Sequence, residues 1–304
     1  MFLVELEGER LHMKFAIFAT KTKQHLGVVQ GDKVISLTLL DEKKFPPCLK
    51  TFIENNKNLR LQAEQKIKQK ENESAVFSLA EVNILPPISQ PEKIICVGLN
   101  YTDHCKETGM EPPKSPVIFS KYANAIIGEK DSIEIPINSS EVDFEAELVV
   151  VIGKKAKCVT EEEANNYVFG YTIMNDISAR DQQFADGQWS RGKTADTFAP
   201  IGPVIVTCDE VDNPHELSIS LKLNDEIMQN SNTNNLIFTV PQIISFLSQS
   251  MTLKPGDLIA TGTPPGVGMG RNPKVWLKDG DNISIKIEKI GTLTNSVCNL
   301  QTLK

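Results

Sequence analysis

The chain has 304 residues, of which 40% are hydrophobic and 23% are charged, and its formal net charge is −7. These values are ordinary for a globular protein with a real core, and the negative charge argues against a nucleic-acid-binding surface or an anionic-membrane partner. No apolar run approaches the roughly 20 residues that a membrane span needs. The six cysteines form no CxxC pair, which indicates free thiols in a reducing compartment rather than a disulfide framework or a zinc site.

The N-terminal segment carries acidic residues where a targeting sequence would not. Glu5, Glu7 and Glu9 interrupt any apolar signal-peptide core and also argue against an Arg-rich mitochondrial presequence. We therefore expect residues 1–12 to be a disordered extension, and the protein to be intracellular and, from this segment, cytoplasmic.

Residues 13–90 predict a small β-rich N-terminal domain. MKFAIFAT, from Met13, is typical of a strand, and GVVQGDKVISL predicts a hairpin that turns at Gly31 and Asp32. Residues 49–71 have the composition of a surface helix with a modest apolar stripe. Prolines 86, 87 and 91 then interrupt regular structure and predict a boundary near residue 90.

Residues 91–304 predict a second domain in which short apolar strands alternate with Gly- and Pro-containing turns. Three helices stand out. TEEEANNYV has a candidate capping box formed by Thr160 and Glu163, SARDQQFA begins near Ser178, and TVPQIISFLSQS is capped by Thr239. Because helices are few and there is no βαβ rhythm, we expect a mostly β, α+β fold built as a sandwich, roll or barrel.

The stretch VDFEAELVVVIGK, residues 142–154, combines an apolar strand with three carboxylates. Asp143, Glu145 and Glu147 alternate, so in a strand they share one face. Glu145 and Glu147 can converge on a divalent cation, and hard cations such as Mg²⁺ or Ca²⁺ prefer oxygen ligands. The alternative is a strand whose acidic face is simply solvated.

A third carboxylate favours the metal site. VFGYTIMND predicts a second apolar strand that ends at Asp176, and functional side chains concentrate at strand ends. Alternatively, Asp176 or Ser178 only caps the helix that follows.

Two further segments could carry chemistry. In GLNYTDHCKETG, His104 and Glu107 are three residues apart, so on a helical turn the carboxylate can orient the imidazole as a general base; the alternative is a surface pair. In WSRGKTADTFAPIGP, Lys193 could neutralise a substrate oxyanion or be a solvated loop lysine. A cysteine nucleophile, Cys105 beside His104, is disfavoured because adjacent helical residues do not face each other.

The Gly-rich stretch LKPGDLIATGTPPGVGMG does not predict a nucleotide site, because no helix follows it to receive a phosphate. We interpret it instead as a backbone-lined corner beside a ligand, to which Thr263 offers a hydroxyl.

The ordered set NYTDHxxE, PVIFSKYANAIIG, DFEAELVVVIG, GYTIMNDISARDQQ, RGKTADTFAPIGP and PGDLIATGTPPGVG resembles the fumarylacetoacetate hydrolase family, from about residue 13 to residue 300. The resemblance implies a small N-terminal domain, a C-terminal mixed β-roll and a homodimer. By resemblance, the metal ligands are Glu145, Glu147 and Asp176, the lid dyad is His104 and Glu107, and the active-site lysine is Lys193. The substrate-binding residues implied are Lys121, Arg180, Gln183 and Thr263.

The same resemblance implies a Mg²⁺-dependent enzyme, with Mn²⁺ or Ca²⁺ as alternatives, that acts on a small 2-oxo or β-diketo acid through a metal-bound enolate. Oxaloacetate keto–enol tautomerisation is the favoured reaction. The alternatives are C–C hydrolysis of an acylpyruvate or of fumarylacetoacetate, oxaloacetate decarboxylation, and non-catalytic ligand binding. Animal relatives are typically mitochondrial, so the resemblance and the acidic N-terminus differ on the compartment.

Overall fold

A computed structural model of the chain describes residues 13–55, 59–69 and 73–300. The predicted disordered extension, residues 1–12, lies outside these ranges. No helix within them is both long and apolar enough to cross a bilayer.

Strands account for most of the regular structure in the described residues. The strands are β1 Lys14–Ala19, β2 Gln24–Gln30, β3 Lys33–Ser36, β4 Val76–Ser78, β5 Asn83–Leu85, β6 Ile94–Gly98, β7 Val117–Lys121, β8 Ile126–Ile127, β9 Ser132–Ile135, β10 Val142–Asp143, β11 Ala146–Ile152, β12 Val168–Asn175, β13 Ser178–Ala179, β14 Ala199–Thr207, β15 Ser218–Leu223, β16 Glu226–Asn232, β17 Leu258–Ala260, β18 Asn282–Ile287 and β19 Gly291–Asn299.

The α-helices are short and few. They are α1 Leu37–Leu40, α2 Leu49–Glu54, α3 Leu59–Lys68, α4 Thr102–Thr108, α5 Glu161–Ala164, α6 Arg180–Gln183, α7 Ser190–Lys193 and α8 Val240–Ser250. The expected mostly β fold with few helices is therefore confirmed.

A twelve-stranded sheet runs in the order β4-β3-β2-β1-β14-β12-β11-β17-β6-β7, with β5 and β8 pairing to its side. Most neighbours are antiparallel, but β17 pairs with β6 in parallel, which makes the sheet mixed. A five-stranded sheet, β16-β15-β18-β19-β9, and the short pair β10-β13 complete the architecture. Strands from both sides of residue 90 share the large sheet, because β1 pairs with β14; the division into two domains at that residue stays a prediction.

The centre of the core is formed by β11 and β12, whose residues are buried at every position. Leu148, Val150 and Ile152 are completely or almost completely inaccessible to solvent. A solvated acidic face on this strand is thus excluded, since the opposite face is buried as well.

Local predictions had mixed outcomes. The hairpin turn at Gly31 and Asp32 is confirmed between β2 and β3, and α8 begins after Thr239, whose backbone N–H donates to the Gln242 side chain at 2.9 Å. The single helix predicted over 49–71 is wrong, because α2 ends at Glu54 and α3 begins at Leu59.

Two predicted helix starts differ from the structure, one in its capping and one by two residues. The capping box at Thr160 is wrong, since its side chain makes no capping hydrogen bond to the start of α5. Ser178 does not start a helix: it pairs with Asp143 in the β10–β13 ladder, and α6 begins at Arg180. Strand pairing with β10 takes precedence there over the local helical pattern.

Candidate active site

Three carboxylates converge at the ends of the two central strands. In the register of β11 with β12, Ala146 lies opposite Asn175. Glu145, which precedes Ala146, therefore lies next to Asp176, which follows Asn175, and the Asp176 N–H donates to the Glu145 carbonyl at 2.9 Å. One oxygen each from Glu145, Glu147 and Asp176 lies within 4.8 Å of the others, and all three residues are buried. The pairing of β11 with β12 is therefore what assembles the predicted triad.

Three cations surround this acidic cluster. Lys193 Nζ lies 2.7 Å from Glu145 Oε2 and 2.8 Å from Asp176 Oδ2. Arg180 Nη2 lies 2.6 Å from Glu145 Oε1, and Lys121 Nζ lies 2.8 Å from Asp176 Oδ1. Each carboxylate oxygen has two lone pairs, so these bonds leave acceptor capacity for another ligand.

Asp143 belongs to the same network, although no role was predicted for it. Its Oδ2 accepts from Arg180 Nε at 2.9 Å, and its Oδ1 accepts from the Gly268 N–H at 2.6 Å. The carboxylate thus fixes Arg180 and the Gly-rich segment in one place. These contacts join residues more than 35 positions apart, so no local pattern could have revealed them.

Formal charges do not balance in the cluster. Four carboxylates, Asp143, Glu145, Glu147 and Asp176, face three cations, Arg180, Lys121 and Lys193, which leaves one negative charge in a buried region. Burying an uncompensated charge is costly. A divalent cation would change the net charge from −1 to +1, which suits an anionic ligand.

The pKa shifts follow this imbalance. Burial raises the pKa of Glu147 well above its usual range, and the neighbouring charges of Asp176 and Glu145 raise it further. Burial alone would also raise the pKa of Glu145, but the charges of Lys193 and Arg180 hold it far below its usual range. Burial lowers the pKa of Lys121, whereas the charges of Asp176 and Glu145 outweigh burial and raise that of Lys193.

The donor set fits a hard divalent cation. Three buried carboxylates from two adjacent strands provide only oxygen ligands, which Mg²⁺ and Ca²⁺ require and Mn²⁺ accepts. Glu147 has the least compensated charge of the three, because neither Arg180 nor either lysine forms an ion pair with it among the described residues. A cation held by Glu145, Glu147 and Asp176 would supply that missing charge.

The predicted His–Glu dyad lies on α4, above the triad. His104 Nδ1 and Glu107 Oε2 are 3.0 Å apart, as expected for residues three apart on a helix. Glu107 Oε1 accepts from the Gly266 N–H at 2.8 Å, so the carboxylate itself is held by the Gly-rich corner. His104 and two triad residues, Glu145 and Glu147, line the same cavity.

The Gly-rich stretch forms the backbone-lined corner that we predicted. Besides Gly266 and Gly268, Gly262 donates its N–H to Glu147 Oε2 at 2.8 Å. Gly262 has φ +104°, and a Cβ there would lie 2.9 Å from Asn100 Cβ, so a side chain would displace this amide. Three backbone amides thus hold three different carboxylates of the site.

Gln229 was missed by the sequence analysis. It is fully buried; its Oε1 accepts from the Ala146 N–H at 2.9 Å, and its Nε2 donates to Thr263 Oγ1 at 2.9 Å. The residue therefore links the strand that carries the triad to the Gly-rich corner. A lone Gln in a strand carries no sequence signal for such a role.

The other predicted binding residues divide into two groups. Arg180, Gln183, Lys193 and Thr263 line the cavity with Glu145, Glu147 and His104. Lys121 is not among its lining residues: its buried ammonium donates to the Ile177 and Phe198 carbonyls at 2.9 and 2.7 Å. Substrate contact by Lys121 stays a prediction, and its placement behind Asp176 favours a supporting role.

The cavity is small and part of its lining is apolar. Its volume is about 50 Å³, and Phe119, Phe184 and Trp189 line it together with the charged residues. The Lys193 ammonium lies 4.9 Å from the centre of the Phe119 ring. A water molecule needs at least roughly 10–15 Å³ of such space, so a few waters fit.

Cys105 is not placed to act as a nucleophile. It is 1% exposed, and its Sγ lies 3.6 Å from the Leu99 carbonyl. Burial, with a further contribution from Asp103, raises the pKa of its thiol, whereas a reactive cysteine needs a lowered one.

Comparisons with known proteins show the family of the chain. The profile described as Fumarylacetoacetate (FAA) hydrolase C-terminal matches residues 93–298. The chain is 50% identical over 219 residues to the mitochondrial oxaloacetate tautomerase Fahd2a of Rattus norvegicus, covering 72% of this chain and 70% of that protein. It is 43% identical over 277 residues to the mitochondrial oxaloacetate tautomerase FAHD2A of Homo sapiens, covering 90% and 87%.

A solved structure extends the likeness to the fold. Maleylpyruvate hydrolase from Sphingobium sp. SYK-6, in complex with manganese(II) and pyruvate, superimposes with a TM-score of 0.80 at 33% identity, covering 95% of this chain and all of that one. The resemblance inferred from the motifs is thereby confirmed. The chain belongs to the fumarylacetoacetate hydrolase family and is an enzyme of that family.

Proposed function

We propose that the protein is a Mg²⁺-dependent oxaloacetate keto–enol tautomerase. The observation that carries the proposal is the buried triad of Glu145, Glu147 and Asp176, two of whose members, Glu145 and Glu147, line the same cavity as His104 of the His104–Glu107 dyad. Relatives that cover most of the chain are named oxaloacetate tautomerases, which supports this substrate.

Glu145, Glu147 and Asp176 would hold the cation. When bound, Mg²⁺ would supply Lewis-acid stabilisation of the negative charge that develops on a substrate oxygen. The net charge of +1 that results in the cluster then favours a dianionic 2-oxo acid over a neutral ketone. Arg180 and Lys193 add positive potential at the cavity wall, where low dielectric strengthens their effect.

The dyad would move the proton. Tautomerisation transfers one proton between the carbon next to the keto group and the enol oxygen: a C–H bond breaks as an O–H bond forms, or the reverse, and no C–C bond is broken. Because Nδ1 of His104 faces Glu107 at 3.0 Å, Nε2 is the ring atom assigned to this transfer. The Glu107 carboxylate orients the ring and stabilises the imidazolium that forms when His104 accepts the proton.

C–C hydrolysis of an acylpyruvate is the second candidate. The same His–Glu pair can activate a water, and the apolar wall formed by Phe119, Phe184 and Trp189 could accept a substituent larger than that of oxaloacetate. The likeness to maleylpyruvate hydrolase supports this alternative. Decarboxylation of oxaloacetate needs the same residues to protonate an enolate after CO₂ has left.

Compartment and assembly are part of the proposal. The relatives are named mitochondrial, which favours a mitochondrial over a cytoplasmic location. The homodimer implied by the resemblance stays a prediction that light scattering of the purified protein would test.

One NMR experiment separates the reactions. The purified protein with Mg²⁺ is mixed with oxaloacetate, and separately with an acylpyruvate, beside samples that contain Mg²⁺ without protein. We expect faster exchange between the keto and enol signals of oxaloacetate, with no added loss of CO₂ or cleavage. Cleavage of the acylpyruvate alone would instead establish the hydrolase. Full activity of a Glu145→Gln, Glu147→Gln double variant in chelator would overturn the metal-dependent reading.

A further inference from the structure

Asp103, on α4, is bound by two side chains from another part of the chain. Its Oδ2 accepts a hydrogen bond from Ser231 Oγ at 2.8 Å and another from Asn235 Nδ2 at 3.1 Å. Asn235 Nδ2 also lies 3.1 Å from Ser231 Oγ. The three side chains form a closed hydrogen-bonded cluster between α4 and the end of β16.

This cluster fastens only one end of α4. The other end is held by Glu107, whose Oε1 accepts from the Gly266 N–H at 2.8 Å. His104 lies between the two attachment points, so its position over the cavity depends on both. Hydrogen bonds to a charged group are stronger than neutral ones, so those of Asp103 exceed the neutral bond that Thr102 Oγ1 donates to the Asn235 carbonyl at 3.2 Å.

The attachment on β16 relates α4 to the triad. Ser231 and Gln229 are two residues apart on that strand and therefore point to the same side. Gln229 accepts from the N–H of Ala146, the residue between Glu145 and Glu147. One strand thus holds both the helix that carries the proton-transfer dyad and the strand that carries the metal ligands.

The position of α4 decides where His104 lies in the wall of the cavity. α4 is a seven-residue helix bounded by Gly109, whose φ is +66°, and isolated helices of this length are not stable on their own. Its docked position therefore depends on contacts such as those of Asp103.

We propose that Asp103, through Ser231 and Asn235, is a positioning residue that docks α4 and so sets His104 over the triad in the closed site. The expected effect of Asp103 on turnover rests on the proposed function, whereas the docking of α4 does not. Undocking would leave the metal ligands intact while removing the proton-transfer group from the substrate.

The test compares variants of the full chain with Mg²⁺ present. Asp103→Ala is expected to speed backbone hydrogen exchange of residues 102–108 and to lower kcat for oxaloacetate about tenfold. Its Mg²⁺ affinity by calorimetry should stay within about twofold, because the triad makes no contact with Asp103. Asp103→Asn keeps an acceptor oxygen for Ser231 and should recover most of kcat, which loss of general stability would not explain.

Two further variants make the result decisive. Asp281→Ala removes an Asp–Asn hydrogen bond of 2.7 Å, to Asn224, on the five-stranded sheet and should change neither exchange of α4 nor kcat. Ser231→Ala should act in the same direction as Asp103→Ala, and it replaces that variant if Asp103→Ala does not fold. Unchanged exchange at 102–108, or faster exchange with unchanged kcat, would overturn the proposal. A parent protein without tautomerase activity would refute the proposed function, while the exchange data would still decide the docking.

Discussion

Glu147→Gln should abolish most of the stabilisation that Mg²⁺ gives to the protein. The change keeps the shape of a fully buried side chain but removes one of three carboxylate ligands and brings the formal charge of the cluster from −1 to 0. Replacing residues that merely orient metal ligands weakens metal binding by roughly 10–100-fold, so loss of a ligand itself should reach at least about 100-fold.

The size of the effect can be worked out for a thermal shift. A ligand at 100 times its Kd stabilises the folded state by about 2.7 kcal/mol, and at its Kd by about 0.4 kcal/mol. With roughly 2.1 cal/mol/K per residue, 304 residues have an unfolding entropy of about 0.64 kcal/mol/K. Mg²⁺ at 100 times the parent Kd should therefore raise Tm by about 4 °C in the parent and by less than about 1 °C in the variant.

The assay is differential scanning calorimetry with and without Mg²⁺, followed by titration calorimetry. Glu129→Gln is the matched control, since Glu129 is a partly buried glutamate outside the cluster whose Oε2 accepts from the Thr294 N–H at 3.0 Å. Its Mg²⁺-dependent shift should equal that of the parent. An equal shift in the Glu147→Gln variant would refute the assignment of the triad as the cation site.

Four other outcomes follow from the same structure. His104→Gln should lower kcat/KM about 10²–10⁴-fold and leave Mg²⁺ affinity unchanged, because the dyad moves the proton without holding the cation; an equal loss of Mg²⁺ affinity would contradict this. Lys193→Met should lower the free energy of unfolding in chelator by roughly 3–5 kcal/mol in urea titrations, since two buried carboxylates lose their shared partner; a loss below about 1 kcal/mol would show that the pair is solvent-screened. Burial lowers the pKa of His215, whose Nε2 accepts from the Val240 N–H at 3.0 Å at the start of α8. The ordinary pKa of a histidine is about 6.5, so below about pH 6.5 His215 binds a proton more readily in the unfolded chain than in the folded one, and the free energy of unfolding falls as the pH is lowered. In urea titrations at pH 7.5 and 5.5, the difference in free energy of unfolding between the parent and His215→Gln should shrink at the lower pH. Cys105→Ser should leave kcat unchanged in the NMR assay, and a large loss would restore the cysteine-nucleophile hypothesis.

Local periodicity predicted the contacts of the site that form within one strand or one helical turn. Alternation in VDFEAELVVVIG placed Glu145 and Glu147 on one side, and the three-residue spacing of His104 and Glu107 brought their side chains into contact. The position of Asp176 at a strand end was also readable, because an apolar run stops there.

The supporting residues could not be predicted in this way. Asp143, Gln229 and Asp103 act through partners between 34 and 132 positions away, and only the folded topology brings those partners together. The helix predicted near Ser178 begins two residues later, at Arg180, for a related reason, since Ser178 pairs with Asp143 in a long-range contact. Sequence spacing carries information over a few residues, whereas the carboxylates here are held by segments of the chain that are distant in sequence.

The pairing of β1 with β14 has a consequence for how the chain is made. Phe15 pairs with Ile205, so the first strand of the described chain completes its ladder only after about 190 further residues exist. At roughly 5–20 residues per second, the ribosome needs about 10–40 seconds to supply that partner. During this interval Lys14 and Phe15 at the start of β1 offer unpaired backbone groups, whereas residues 17–19 pair earlier with β5. The start of β1 is therefore a site for chaperone binding or for pairing with another nascent chain.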